Sequence, residues 1–310
     1  MNYKYSVVVP HYNNPNGLDR LLASIPQRED IQVLIVDDNS RNPLEEQCFI
    51  DKYSGLAIRF FNNDSGNKGA GAARNIALKY MDSEYTLFAD ADDFFIENAF
   101  YILDDMISFD DITYFSPKSQ CDITGEASDR HHLYENLVNQ HIALGDEELR
   151  YHFLVPWSKV FSTHFIKQHG LYFDSVIASN DVMFSMVSGH SAKSIKVSKQ
   201  SIYCVTRGKG TLTVNFNPEV TQARFNVEKR RLEYIAKNNI KTETNSVYKL
   251  IKLYRKILTL EDYKHIFNTL LNGHITMLPK RTSFYLKNPK ELLVKIISRK
   301  ESLTDEKYRA

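Results

Sequence analysis

The sequence predicts an α/β protein: a mainly parallel sheet covered by helices on both faces, with a helical region at the C-terminal end. Two observations carry this. Short apolar runs rich in β-branched residues alternate with helical periodicities as far as about residue 216, and only helical patterns follow. Strands separated by helices pair in parallel, and such a sheet is buried on both faces. YSVVVP (5–10) and VLIV (33–36) have the look of buried strands. Between them Leu18, Leu21, Leu22 and Ile25 recur at helical spacing, giving a helix that ends before Pro26. A helix at 43–53 leads to a third strand, LAIRFF (56–61). AGAARNIALKYM (70–81) is a helix and EYTLFA (84–89) a fourth strand. Ala99, Leu103 and Met106 mark a helix beginning near Phe95, followed by the strand ITYFS (112–116). Residues 118–150 are polar and mixed, which predicts loops and short helices. A strand–helix unit returns at 155–170, a helix at 181–189 and strands at about 195–206, with TLTVNF (211–216) before the change of pattern.

At 310 residues the chain is long enough for one large domain and an appendage. Net charge is +1, yet residues 215–310 hold 20 Lys and Arg against 10 Asp and Glu, leaving 19 against 28 before them. An acidic front and a basic tail imply two parts with different surroundings. The three cysteines, Cys48, Cys121 and Cys204, are scattered without metal-ligand spacing, which fits a reducing compartment. MNYKYSVVVP has too short an apolar stretch for a signal peptide, and no run approaches the length that spans a bilayer. A cytoplasmic protein is therefore expected, free or held at the inner face of a membrane. The ten histidines include no H-E-x-x-H pair, and His131-His132 is expected at the surface. No nucleic-acid partner is expected.

A parallel α/β sheet binds ligands outside the carboxyl ends of its strands. Those ends here carry Pro10-His11-Tyr12-Asn13, Asp37-Asp38-Asn39-Ser40 and Asp90-Ala91-Asp92-Asp93. Asp90 and Asp92 alternate after a buried strand and so point into one crevice. Carboxylates in that arrangement hold Mg²⁺ or Mn²⁺ together with phosphate oxygens. The blander alternative is that Asp93 caps the helix near Phe95 and its neighbours are solvated. Asp38 could accept a hydrogen bond from a base or ribose, or simply shape a turn. GNKGAGAARN (66–75) opens a helix with small residues and an arginine, but matches neither the dinucleotide nor the P-loop fingerprint.

In order and spacing, SVVVPHYNN (6–14), VLIVDDNS (33–40), GNKGAGAARN (66–75) and LFADADDFF (87–95) resemble glycosyltransferase family 2, the GT-A-fold inverting enzymes of bacterial surface polysaccharides. VPWSKVF (155–161), ASNDVMFS (178–185) and IYCVTRGKGTLT (202–213) extend the similarity over about residues 4–214. The resemblance implies a GT-A catalytic domain over 1–216, with a nucleotide-sugar half at about 1–116 and an acceptor half at about 117–216. It implies a metal-dependent transfer of a hexose or N-acetylhexosamine from a nucleoside diphosphate sugar to a glycan or lipid-linked acceptor. A uridine diphosphate sugar is the first choice of donor, because Asp38 and Asn67 offer the acceptor and amide that a uracil edge requires. Pro10, Tyr12, Asp38, Asn67 and Arg74 match positions that hold the nucleotide base. Asp90 matches the first aspartate of the DxD motif, near the ribose, and Asp92 the metal ligand. Asp181 matches the catalytic base, Arg207 a diphosphate contact, and Trp157 and Lys159 stand where the acceptor sugar would be stacked and bonded. One departure is Asn180, where the family usually has an acid beside its base.

Asp181 also stands on chemistry alone. An inverting transfer needs one carboxylate to take a proton from the attacking hydroxyl, and a metal can carry the charge of the leaving diphosphate. The alternative is that Asp181 caps the following helix. Two other classes remain open: a nucleotidyltransferase that makes sugar nucleotides, and a non-catalytic sugar-nucleotide-binding module. The first would show a glycine-rich loop with Arg after the opening strand, where this chain has Pro10-His11-Tyr12. In the basic region 217–310, Val247, Leu250, Ile251, Tyr254 and Leu258 share one helical face, with Lys249, Lys252, Arg255 and Lys256 largely on others. Leu292, Leu293, Ile296 and Ile297 repeat the pattern with Lys290, Lys295, Arg299 and Lys300. Such helices could touch a membrane surface, pack on the protein or join a homo-oligomer.

Overall fold

The computed structural model describes residues 2–207, 217–242 and 244–279. The strand β1 (Tyr3–His11) pairs in parallel with β2 (Ile31–Asp37), in register from Tyr5–Ile31 to His11–Asp37. The helix between them, α1 (Pro15–Ala23), starts where the Asn14 side chain accepts from Gly17 N at 3.0 Å, and it buries Leu18, Leu21 and Leu22. α2 (Glu46–Lys52) leads to β3 (Ala57–Asn62), and α3 (Ala70–Leu78) leads to β4 (Ser83–Phe88), which returns beside β1. Next come β5 (Phe94–Phe95), α4 (Ala99–Met106), β6 (Ile112–Phe115) and β7 (Lys118–Cys121). α5 (His132–Leu144) and α6 (Glu148–His152) precede β8 (Lys159–Ser162) and α7 (Thr163–Gln168). α8 (Val182–Ser191), β9 (Ile195–Ser198) and β10 (Tyr203–Arg207) follow. α9 (Pro218–Lys237), α10 (Val247–Tyr254) and α11 (Leu260–Leu271) end the described chain.

The main sheet has seven strands in the order β3-β2-β1-β4-β8-β6-β9, parallel except for β8, which runs against both neighbours. A mainly parallel sheet flanked by helices is thus the observed fold. Because β1, β2 and β4 run together, the chain leaves all three at one edge, and the acid-bearing turns gather there. A small second sheet, β5-β10-β7, was not foreseen. The helix predicted from near Phe95 starts instead at Ala99. Phe94 and Phe95 pair with Cys204 and Tyr203, and Asp93 turns inward to accept from Thr206 N at 2.7 Å and Tyr203 Oη at 3.0 Å. Asp93 is therefore no helix cap. The polar stretch 118–150 also carries more order than expected, in β7 and the 13-residue α5.

Aromatic packing sets the segment before α8. Phe88 on β4 meets Phe161, Phe173 and Phe184 edge to face, and Phe173 stacks on Phe184 at 3.9 Å. Each such ring contributes about 2–3 kcal/mol by burial, so 173–184 is fastened to the strand that ends at the acidic turn.

The chain divides into two compact units between Val227 and Glu228, inside α9. In the second, Thr259 and Asp262 cap α11 reciprocally, with Thr259 N donating to Asp262 Oδ2 at 3.0 Å and Asp262 N to Thr259 Oγ1 at 3.2 Å. On α10, Val247 and Leu250 are buried, whereas Lys249, Lys252 and Leu253 are exposed. The inner half of its apolar face is thus already packed against protein. The segments 211–216 and 290–300 lie outside the described residues. Among the described residues, no helix is long and apolar enough to cross a membrane.

Candidate active site

A cleft of about 640 Å³ opens at the carboxyl edge of the sheet, and Pro10, Tyr12, Arg74, Asp90, Asp92 and Asp181 all line it. They come from separate segments, and specific contacts hold each in position. The turn after β1 is tied to the turn after β2. Buried His11 bonds Asp37 through Nδ1 at 2.8 Å and accepts from Asn14 N through Nε2 at 3.2 Å. Asp37 accepts from Ser40 N, and Ser40 Oγ accepts from Asn13 N at 2.8 Å. This leaves the Tyr12 ring, 55% exposed, free to offer a flat apolar face within the cleft.

Arg74, buried on α3, links two walls of the site. Nη2 donates to Asp90 Oδ1 at 2.5 Å and Nη1 to Asn180 Oδ1 at 3.1 Å, with the guanidinium over the Phe173 ring. Asn180 thus serves as a neutral acceptor for Arg74. The approach of α3 depends on Gly71, where a Cβ would stand 2.1 Å from Asp174 O and 2.8 Å from Asn180 Cβ.

Asp90, Asp92 and Asp93 each bring a carboxylate oxygen within 4.8 Å of the others. Burial, reinforced by Asp90, raises the Asp92 carboxyl above its ordinary range. Burial, reinforced by Asp92, raises Asp93 further. Crowded carboxylates with only oxygen donors suit a hard divalent cation, which relieves their mutual repulsion. The cluster is held from behind: Tyr203 Oη accepts from Asp90 N at 2.8 Å and donates to Asp93 Oδ2, and Arg20 donates to Asp92 O.

Asp181 occupies the N-cap position of α8, yet its side chain makes no capping hydrogen bond. It touches solvent through the cleft, but surrounding protein lifts its carboxyl to about 6, against the pull of Arg74. Burial therefore does what the missing acid at position 180 was expected to do. A carboxyl so tuned can accept a proton near neutral pH.

Other sequence-predicted residues lie off the cleft wall. Asp38 accepts from Gly69 N at 2.7 Å and Asn63 Nδ2 at 2.6 Å, and exposed Asn67 accepts from Asn63 Nδ2 through its carbonyl at 2.7 Å. Both belong to the loop system above β2 and β3. Arg207, expected at the diphosphate, is exposed and pairs with Asp129 at 2.7 Å. Trp157 and Lys159, expected to meet the acceptor, are both buried in the interior. Trp157, 3% exposed, stacks on Tyr203, whose hydroxyl carries the acidic turn. Lys159, 1% exposed, donates to Phe153 O at 2.6 Å among the rings of Tyr114 and Phe153, and burial holds its ammonium well below the usual lysine range.

Three contributors went unseen. Asn180 and Tyr203 lay inside quoted motifs, as a departure and as a flanking residue. Arg224, on α9, lines the cleft from beyond the motif-bearing region, and no local signal marked it.

A mainly parallel sheet with an acidic cleft off its strand ends is the architecture of the GT-A glycosyltransferases. The chain belongs to glycosyl transferase family 2, whose family model matches residues 6–170. It is 27% identical over 218 residues to the poly(ribitol-phosphate) β-N-acetylglucosaminyltransferase TarS of Staphylococcus aureus, a span of 67% of this chain and 36% of that protein. It is 28% identical to a poly(ribitol-phosphate) β-glucosyltransferase of Bacillus spizizenii, over 69% of this chain and 34% of the relative. The chain thus spans about a third of the length of these relatives. The crystal structure of S. aureus TarS 1–349 with UDP-GlcNAc superposes with a TM-score of 0.59 at 22% identity, covering 86% of this chain and 79% of the other, a likeness of fold.

Proposed function

We propose that this chain transfers a sugar from a uridine diphosphate sugar to a hydroxyl of a polyol-phosphate or related glycan chain, inverting the anomeric carbon. The observation that carries this reading is one cleft shared by an acidic pair and a separate, proton-accepting carboxyl: Asp90 and Asp92 from the turn after β4, Asp181 from the start of α8.

Tyr12 and Pro10 offer the base a flat apolar surface. Asp38 and Asn67 shape the loop that receives its polar edge. Arg224 brings a cationic side chain to the cleft, where it meets the diphosphate in place of Arg207. A Mg²⁺ or Mn²⁺ ion held by Asp92, with Asp90 beside it, would supply neutralisation of the charge on the departing diphosphate. Asp181 takes the proton of the acceptor hydroxyl as that oxygen bonds the anomeric carbon. The bond to the diphosphate breaks on the far side, so configuration inverts and uridine diphosphate leaves.

The names of the relatives support N-acetylglucosamine or glucose as the sugar and a ribitol-phosphate hydroxyl as the acceptor. A panel of nucleotide sugars offered with poly(ribitol-phosphate) tests this. The expected result is a glycosylated polymer and free uridine diphosphate; pyrophosphate release, or no turnover with any donor, contradicts it. In calorimetry uridine diphosphate should bind more tightly than guanosine or thymidine diphosphate, and the reverse order would overturn the base assignment. Arg224→Ala should weaken uridine diphosphate by about ten- to a hundredfold, the loss of one charge-assisted hydrogen bond. Unchanged affinity would remove Arg224 from the diphosphate.

A further inference from the structure

The first turn of α5 gathers His131, His132 and Glu135, with one ligand atom of each within 4.8 Å of the others. None of the three lines the cleft. Glu135 Oε2 stands 3.8 Å from His131 Nε2 and 3.4 Å from His132 Nδ1. Ligand atoms on a tetrahedral zinc ion sit about 3.3 Å apart, so small side-chain shifts close this set around one ion.

His131 is held from behind. Its Nδ1 lies 2.7 Å from the buried Ser119 Oγ, and its backbone N donates to the same oxygen at 3.3 Å. With Nδ1 engaged there, Nε2 is the ring atom turned toward Glu135 Oε2. His132 Nδ1 meets the same oxygen at 3.4 Å, longer than a good hydrogen bond.

We propose that His131, His132 and Glu135 form a second metal site, for a borderline ion such as Zn²⁺. Its chemistry differs from the all-oxygen cluster of Asp90 and Asp92, because imidazole nitrogen suits zinc where carboxylates alone suit magnesium or manganese. Half-exposed His132 and Glu135 leave the fourth position to water. Ser119 is the orienting partner of the histidine ligand, the role outer-shell groups play at zinc sites. The ion would stiffen the first turn of α5, which the Ser119–His131 contact ties to β7. The loop between them also carries Arg130, which donates to Thr206 O at 2.6 Å, and Thr206 in turn donates to Asp92 O and Asp93. The site thus braces the back of the acidic turn.

Calorimetry of the tag-free full chain with zinc chloride, in excess magnesium to fill the oxygen cluster, tests the proposal. One zinc per chain is expected. His132→Ala and Glu135→Gln should each weaken it by about tenfold or more, and Ser119→Ala by about ten- to a hundredfold through loss of the partner that orients His131. Asp92→Asn should leave zinc affinity unchanged. No zinc uptake, or uptake indifferent to the His132 and Glu135 substitutions, overturns the site. Zinc loss in Asp92→Asn alone would move the ion to the cleft and overturn it equally.

Discussion

Asp181→Asn is expected to lower turnover by about two to four orders of magnitude, the range general-base catalysis supplies. The substitution keeps the shape of the side chain and removes its capacity to accept a proton. Because Asp181 makes no capping hydrogen bond, the variant leaves α8 as it was. Donor affinity should change little, since Tyr12, Arg74, Arg224 and Asp92 come from other segments. A parallel fall in donor affinity and turnover would mean a binding role instead. The wild-type pH profile carries the same signature. Burial raises this carboxyl to about 6, so activity should be low below that pH and rise as the group ionises. A profile flat between about pH 5 and pH 8 contradicts an Asp181 base.

Asp92→Asn should lower kcat by about two to three orders of magnitude, the usual cost of removing one preorganised electrostatic partner of a developing charge. Its carboxyl is already raised by burial and by Asp90, so the charged form is favoured only with a cation nearby. The wild type should accordingly lose activity in chelator and regain it with Mg²⁺ or Mn²⁺, while the variant gains little from either ion. Full turnover by a verified metal-free preparation would sink the metal assignment. Asp93→Asn is a different experiment: that side chain is fully committed to Thr206 and Tyr203, so its loss reads out as stability.

The sequence revealed the sheet and the acidic turn because both rest on local signals. Apolar runs mark β1, β2 and β4, and acids directly after strands gather at one edge once the strands are parallel. It hid β5 and β7 because short strands pairing with distant β10 leave no periodicity of their own. It hid the surroundings of Trp157 and Lys159 for a related reason. An aromatic and a cation beside a motif look like ligand contacts, and only packing tells that Tyr203 and Phe153 hold them from inside. Arg224 escaped notice because chain distance says nothing about which arginine a later helix brings back to the cleft. The tuning of Asp181 was looked for in a charged neighbour and is found in burial, a property of the closed fold.

The stereochemistry of a single turnover tests the central claim most directly. Nuclear magnetic resonance of the fresh product from an α-linked uridine diphosphate sugar should show a β-linkage. A single displacement driven by one base allows no other outcome. An α-linked product would require a second displacement on a covalent or ion-paired intermediate, and would contradict the assignment of Asp181 regardless of how its variants behave.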